Sequence, residues 1–344
     1  MPNYVTMLNT IHANQSALYQ ERIPVATAEN FREVGTALLN YDVHKNEFLD
    51  AFVYTICWQE SISRPYKNPW AVLKKGTKPY GGVKQQRHVN PVTGKEFDGS
   101  NTSDMLEVNK PDVKTAYFKK NRQNKYPVSI SDAQLRTAFL NPAEFASFHQ
   151  DVLNAMYSGD EMDEYLLMRH AVADLIKEGK IKVVEIDYDA NPANLVKAVQ
   201  TFSRYFKYES AEYAGYNLQN AAAIEAGTLS PVVTWCPTDK QVMLIREDID
   251  VETDIDVLAK AFNMNKTDFS QRKVGIDTFE DGNEDVLSLL ADESFFDFMD
   301  ELYKVTSFSN GSNLTTNYWL HHWEQIGLSP LANAVAFKKK AATA

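Results

Sequence analysis

Residues 143 to 178 carry a helical pattern far longer than a small globule can use. Asn141 is placed to cap it, Pro142 suits the first helical position, and Glu144 completes a capping-box pattern. Apolar residues then recur at helical spacing: Phe145, Phe148, Val152 and Met156, and after a break Met162, Leu166, Val172, Leu175 and Ile176. Gly159 falls in that break and is expected to kink the helix or shift its register. Lys177 suits the negative end of the helix dipole, and Gly179 can close the helix. At ~1.5 Å per residue the run spans roughly 54 Å, about three times the usual helix length. Such a rod is a spine for an extended body.

The segment just upstream is its opposite. From Lys74 to Asp112 only eight of 39 residues are apolar, and Gly76, Gly81, Gly82, Gly94, Gly99, Pro79 and Pro91 interrupt it. Helical periodicity is absent. Asn90-Pro91-Val92-Thr93-Gly94 reads as a turn, so the flanks are expected to pair as a long two-stranded ribbon. A segment with so little to bury does not belong inside a compact domain; it reads either as a disordered loop or as an arm ordered by a neighbour.

Charge favours the arm. Arg64 to Lys125 holds 14 Lys/Arg against 5 Asp/Glu, a net of +9 inside a chain whose total is −11. The spine stretch 143–178 holds eight acids (Glu144, Asp151, Asp160, Glu161, Asp163, Glu164, Asp174, Glu178) against Arg169 and Lys177. A charged helix face is ordinarily a solvated one. A basic arm beside an acidic rod of matching length points instead to copies of one chain meeting each other. Lys74, Lys75, Lys78, Lys84 and Arg87 are the expected arm contacts, and Asp160, Glu161, Asp163 and Glu164 the expected spine contacts. The acidic total argues against a general nucleic-acid binder.

The rest of the chain alternates irregularly. Strands are expected at Ile181–Asp187, Val232–Trp235, Val242–Ile245, within Leu314–Ile326 and at Ala334–Phe337. Helices are expected after Asn191-Pro192, at Thr253–Phe262 and at Ser294–Tyr303. The class is α+β, without strict βαβ order. With 344 residues, 44% of them hydrophobic and 12% aromatic, the chain can build two or three lobes. Its longest apolar stretch, Ala51 to Cys57, is far short of the ~20 residues that span a bilayer. The N-terminus does not read as a secretory signal, and the two cysteines, Cys57 and Cys236, make no disulfide framework. A soluble product of the cytoplasm is expected.

Catalytic patterns are missing. There is no dinucleotide turn, no phosphate loop and no His-Glu-x-x-His. His321 and His322 point to opposite faces of a strand and read as packing or surface residues. Asp248, Asp250, Asp254 and Asp256 surround a strand-to-helix junction, but they lack a calcium-loop pattern and suit a helix N-terminus. Cys57 reads as inertly buried and Lys338-Lys339-Lys340 as a solvated tail end. No enzyme, no cofactor and no metal are expected.

Several blocks resemble the major capsid proteins of small short-tailed, phi29-like bacteriophages. They are Ile23-Pro24-Val25-Ala26-Thr27-Ala28 to Glu33-Val34-Gly35, Leu73-Lys74-Lys75-Gly76, Pro111-Asp112-Val113-Lys114-Thr115 with Asn121-Arg122-Gln123, and Thr137-Ala138-Phe139 with Met162-Asp163-Glu164-Tyr165. The most specific are 256–265 (Asp-Val-Leu-Ala-Lys-Ala-Phe-Asn-Met-Asn) with Thr267-Asp268-Phe269, and 331–337 (Leu-Ala-Asn-Ala-Val-Ala-Phe). The resemblance implies an HK97-like phage capsid fold. Its parts would be an N-terminal arm (1–62), an extended β-hairpin E-loop with its flanks (63–127), a peripheral domain on the spine helix (128–190 and 308–344) and an axial domain (191–307). It further implies a virion protein, assembled in the host cytoplasm into hexamers and pentamers of an icosahedral or prolate head. That head would enclose double-stranded DNA without sequence-specific binding, with scaffolding and portal proteins as partners and no membrane. Family members that carry an extra immunoglobulin-like domain do so after the last block, whereas this sequence stops at Ala344. The rival readings are an encapsulin-like nanocompartment shell, a nucleic-acid-binding module using residues 64–125, and, last, a metal hydrolase using the 248–256 acids.

Overall fold

A computed structural model describes residues 3–27, 29–40, 43–48, 51, 66–96, 107–131, 142–252, 273–279 and 282–341. The Asn141 cap, the blocks at 137–139 and 256–269, the expected helix at 253–262, and Cys57, Asp254 and Asp256 lie outside them. The chain forms two compact units. The first comprises Met1–Asn68, Asn121–Tyr165 and Asp300–Glu324, and the second Pro69–Lys120, Leu166–Met299 and Gln325–Ala344.

The first unit begins with three helices, α1 (Asn3–Ala13), α2 (Ala17–Arg22) and α3 (Phe31–Leu39). Ser16 caps α2 by accepting from the Tyr19 amide. The apolar faces of these helices, with Leu8, Ile11, Tyr19, Phe31, Val34 and Leu38, share one core with Met156 and Tyr157 of the spine. Strands β4 (Arg122–Ser131) and β10 (Thr315–Leu328) complete that core through Ile130, Tyr318 and Leu320. These two strands pair antiparallel from Glu324↔Arg122 to Thr315↔Ser131.

The spine, α4, runs unbroken from Pro142 to Lys177, 36 residues. The helix is continuous through Gly159. A Cβ there would lie 3.5 Å from the Tyr126 ring, so the glycine lets β4 approach the helix. The end is as the sequence indicates: Gly179 adopts φ +68, its amide bonds Ile176 O at 3.1 Å, and the Lys180 amide bonds Leu175 O at 2.9 Å. That is a Schellman closure.

The second unit is built on a mixed five-stranded sheet of order β5-β11-β8-β6-β7. Its strands are β5 (Lys182–Ile186), β6 (Gln241–Arg246), β7 (Lys273–Ile276), β8 (Val286–Asp292) and β11 (Ala334–Lys339). β11 runs parallel to β5 and antiparallel to β8. Helix α5 (Ala193–Tyr205) lays Leu195, Val196 and Val199 on this sheet against Val335, Phe337 and Leu290. Full burial of side chains of this size contributes about 1.5–3 kcal/mol each.

Three expectations are corrected. Residues 294–303 are not a helix: after one 3-10 turn, Glu293–Phe295, strand β9 runs from Phe296 to Asn310. β9 lies beside β10 in a sheet of order β1-β9-β10-β4, where β1 is Lys74–Thr77. Those non-local pairings override the helix-like spacing of 294–303. Residues 232–235 are not a strand but make a single bridge, Thr234 to Ser210. Lys338 and Lys339 belong to β11 and not to a tail, though their side chains stay partly solvated beside Asp285 (3.9 Å) and Asp189 (2.8 Å), and Lys340 beyond the strand is exposed.

Candidate inter-subunit contact site

The arm contains a ribbon. Strands β2 (Lys84–Val89) and β3 (Val113–Phe118) pair antiparallel from Lys84↔Phe118 to Val89↔Val113. Asn90 is not part of a turn: its amide continues the ladder to Asp112 O at 3.0 Å, and residues 91–111 make the connection. The ribbon is shorter than the sequence suggested because Pro91 and Pro111, one on each strand just beyond the Asn90–Asp112 rung, interrupt the ladder there.

Period-two alternation gives the ribbon two faces. Lys84, Gln86, His88, Lys114, Ala116 and Phe118 turn toward their own unit. His88 Nε2 lies 2.9 Å from Val233 O, and Gln86 donates to Ser294 O at 3.3 Å. Asn90 donates to Pro231 O (2.7 Å) and accepts from the Val233 amide (2.9 Å). Asp112 accepts from Ser230 Oγ (2.7 Å) and Lys114 Nζ (2.9 Å), bonds that hold its pKa below the usual carboxylate range. The outer face carries Gln85, Arg87, Val89, Val113, Thr115 and Tyr117, with Tyr117 64% exposed.

The five basic residues expected to reach a neighbour therefore divide. Lys78 is buried and donates to Gly82 O (3.2 Å) and Gln325 Oε1 (3.0 Å). Lys84 pairs with the buried Asp297 of its own unit. Lys74 and Lys75 line a cleft of about 500 Å³ with Val72, Leu73, Val242 and Glu293. Arg87 is exposed on the outer face and donates to Gln85 Oε1 at 2.9 Å.

The four spine acids show a sharper departure. Asp160, Glu161 and Glu164 are 1%, 3% and 2% exposed, and only Asp163 keeps partial exposure. Asp160 Oδ1 accepts from Arg122 Nη2 at 2.9 Å and lies 2.7 Å from His322 Nδ1. Glu161 accepts from the Asn68 amide (2.9 Å), Glu164 from Asn68 Nδ2 (2.7 Å), and Asp163 from the Tyr126 hydroxyl (2.8 Å). Meanwhile Met162, Leu166 and Leu167, at 47%, 39% and 39% exposure, face outward. The expectation of an acidic outer face at 160–164 is thus corrected. These carboxylates are consumed by partners distant in sequence, and the spine there is apolar outside.

Sequence reasoning missed the knot these acids join. Arg122 bridges Asp160 and Glu324, and it also donates to Tyr126. Its pKa is raised: burial alone would lower it, but the charges of Glu324 and Asp160 outweigh that. His322 Nε2 lies 3.0 Å from Asp300 Oδ1. Burial pulls its pKa down, yet the bonds to Asp160 and Asp300 and the charges of Asp160 and Glu324 prevail and raise it to about 9. His322 is therefore an imidazolium cross-link at neutral pH, with both ring nitrogens donating. The ligand atoms of Glu164, Asp300, His322 and Glu324 lie within 4.8 Å of one another, as a metal set would. Here Asn68 donates to Glu164, Arg122 pairs with Glu324 and His322 bonds Asp300.

Elsewhere, Asp248 pairs with Arg246, and Asp250 with Lys273. Burial pushes the Cys236 thiol well up, as suits an inert core residue. Among the described residues no helix is long and apolar enough to cross a membrane.

Comparison with known proteins gives one consistent picture. Residues 8–338 match the family model of the Phi29-like phage major capsid protein. The major capsid protein of Bacillus phage PZA is 30% identical over 339 residues, covering 96% of this chain and 72% of that protein. That of Bacillus phage B103 is 32% identical over 336 residues, with the same coverage. Among solved structures, the capsid structure of Staphylococcus phage Andhra superposes with a TM-score of 0.64 at 14% identity, over 81% of this chain and 86% of that one.

Proposed function

The chain belongs to the Phi29-like phage major capsid protein family, has an α+β HK97-like fold and forms the shell of a phage virion; from that premise we propose how its copies hold together. The ribbon's outer face, with Arg87, Val89, Val113 and Tyr117, and the neighbouring Lys74 and Lys75 lie on the spine of an adjacent subunit. They meet it along Met162, Leu166 and Leu167, with Asp163 at the rim. The observation that carries this reading is the pair of outward faces: a ribbon face that is half apolar, and a stretch of the spine, 160–167, that turns Asp160, Glu161 and Glu164 in and Met162, Leu166 and Leu167 out. Apolar contact supplies affinity while rim charges set register.

Subunits of this kind close into hexamers and pentamers of an icosahedral or prolate head, because rotational rings close where head-to-tail growth does not. The protein acts as structure, without catalysis. The head encloses double-stranded DNA with no sequence-specific contact, and scaffolding and portal proteins join it in assembly. The four-part division into arm, E-loop, peripheral domain and axial domain is carried over on the same basis. An encapsulin-like compartment is disfavoured by the family match, and a nucleic-acid module by the inward engagement of Lys78 and Lys84.

The test is the triple variant Lys74→Glu, Lys75→Glu, Arg87→Glu, beside Tyr117→Ser with Val89→Ser. Both variants are expected to fold and to lose at least ten-fold in particle yield by sedimentation and negative-stain microscopy. Wild-type yield from both would refute the contact.

A further inference from the structure

The rung of the ribbon nearest its root is Lys84 opposite Phe118, and both members of that pair rest on the same small area of their own unit. Lys84 pairs with Asp297, a carboxylate only 1% exposed. The other oxygen of Asp297 accepts from Gln325 Nε2 at 2.6 Å, and Gln325 Oε1 accepts in turn from Lys78 Nζ at 3.0 Å. One buried acid thus gathers two lysines, one directly and one through an amide, from either side of the turn that leads into the ribbon. Phe118 lies on Gly327: a Cβ at that glycine would stand 2.6 Å from Phe118 Cδ1 and 3.4 Å from Asp297 O. The seat is therefore complete only with an anion at 297 and no side chain at 327.

We infer that Asp297, with Gly327, is a positioning site for the arm: it fixes the angle at which the ribbon leaves its subunit and so presets the ribbon's outer face for a neighbour. The inference rests on the ribbon-to-spine contact proposed above. A two-stranded ribbon is marginal by itself, and a ribbon that wanders loses affinity to the entropy of being ordered on contact. Asp297 acts through Lys84, Gln325 and Lys78 and touches no neighbour itself.

Hydrogen exchange by mass spectrometry on the unassembled full-length chain tests this, in Asp297→Asn and in Gly327→Ala. Each is expected to raise exchange at least ten-fold in peptides covering 84–90 and 112–118, to leave β8 and β11 unchanged, and to lower particle yield at least ten-fold. A merely structural role would instead loosen β8 and β11 along with the ribbon, and that result overturns the inference, as does unchanged ribbon exchange. If Asp297→Asn fails to fold, Gly327→Ala decides the question by the same readings. A loosened ribbon with wild-type particle yield also overturns it when the Lys74/Lys75/Arg87 variant fails to assemble. If that variant assembles normally too, it is the ribbon-to-spine contact that has failed, and ribbon exchange alone then reports on the seat.

Discussion

Raising the pH should loosen the first unit through one side chain, His322. The imidazole is 2% exposed, held between Asp160 (2.7 Å) and Asp300 (3.0 Å), with Glu324 at 3.8 Å and the Tyr303 ring edge-on at 4.9 Å. Its pKa of about 9 against the ordinary 6.5 means that the folded chain binds the proton more tightly than the unfolded one. The stabilisation is therefore complete below the unfolded pKa and is lost as the pH rises through the folded one. At about 1.4 kcal/mol per pKa unit the gap corresponds to ~3 kcal/mol. The assay is urea unfolding of the unassembled chain from pH 6 to pH 10, followed by tryptophan fluorescence, since Trp319 and Trp323 flank His322 on β10. His322→Gln removes the titration. The stability difference between wild type and variant should be largest at pH 6 and shrink by ~3 kcal/mol by pH 10. A difference that stays constant over that range, or an imidazole that titrates near 6.5 in the folded chain, would refute the reasoning.

Arg122→Met leaves Asp160 and Glu324 buried without their guanidinium and should destabilise the chain by about 3–5 kcal/mol in the same unfolding assay. Gly159→Ala should be tolerated, because the added Cβ makes an ordinary 3.5 Å contact with Tyr126 and helix propensity favours alanine by about 1 kcal/mol. Gly159→Leu should instead displace Tyr126 and lower the melting temperature. Gly179→Ala puts a side chain at φ +68 and should cost about 1 kcal/mol, read as a lower urea midpoint. Cys236, fully buried, should resist alkylation in the folded chain and react only on unfolding, with the label located by mass spectrometry.

The sequence made the spine legible because everything that defines it is local: apolar repeats three and four apart, and a glycine one turn past the last of them. The strands of the second unit were legible for the same reason, since Val242–Ile245 and Ala334–Phe337 are short apolar runs that are buried in the sheet. Where the deciding partner is distant, local reading failed. Asp160 finds Arg122 across 38 positions and His322 across 162. Acids on a helix then look like a solvated face although they are its buried one. A usable signal was present: Met162 and Leu166, four apart, lie on the face opposite Asp160 and Glu164, so a helix packed on one side buries only one of the two sets. Treating the apolar set as core by default chose the wrong one. Residues 294–303 failed similarly, because the neighbours that draw them into a strand are β1 and β10, not the residues beside them.

The same accounting changes what charge does in this molecule. Lys78, Lys84 and Arg122, all from the basic stretch, terminate on Gln325, Asp297, Asp160 and Glu324 of their own chain. Part of the positive segment is thus matched inside its own subunit: Lys84 holds the ribbon on Asp297, and Arg122 ties β4 to Asp160 of the spine. Exposed pairs left for contacts between copies are worth only ~0–1 kcal/mol each, whereas covering a side chain such as Tyr117 or Val89 brings ~25 cal/mol for every Å² of apolar surface removed from water. On the contact proposed above, buried charge sets geometry and exposed apolar surface sets affinity. Cohesion between subunits then depends on how accurately the ribbon is aimed, which is why a buried aspartate that touches no neighbour can matter to the shell.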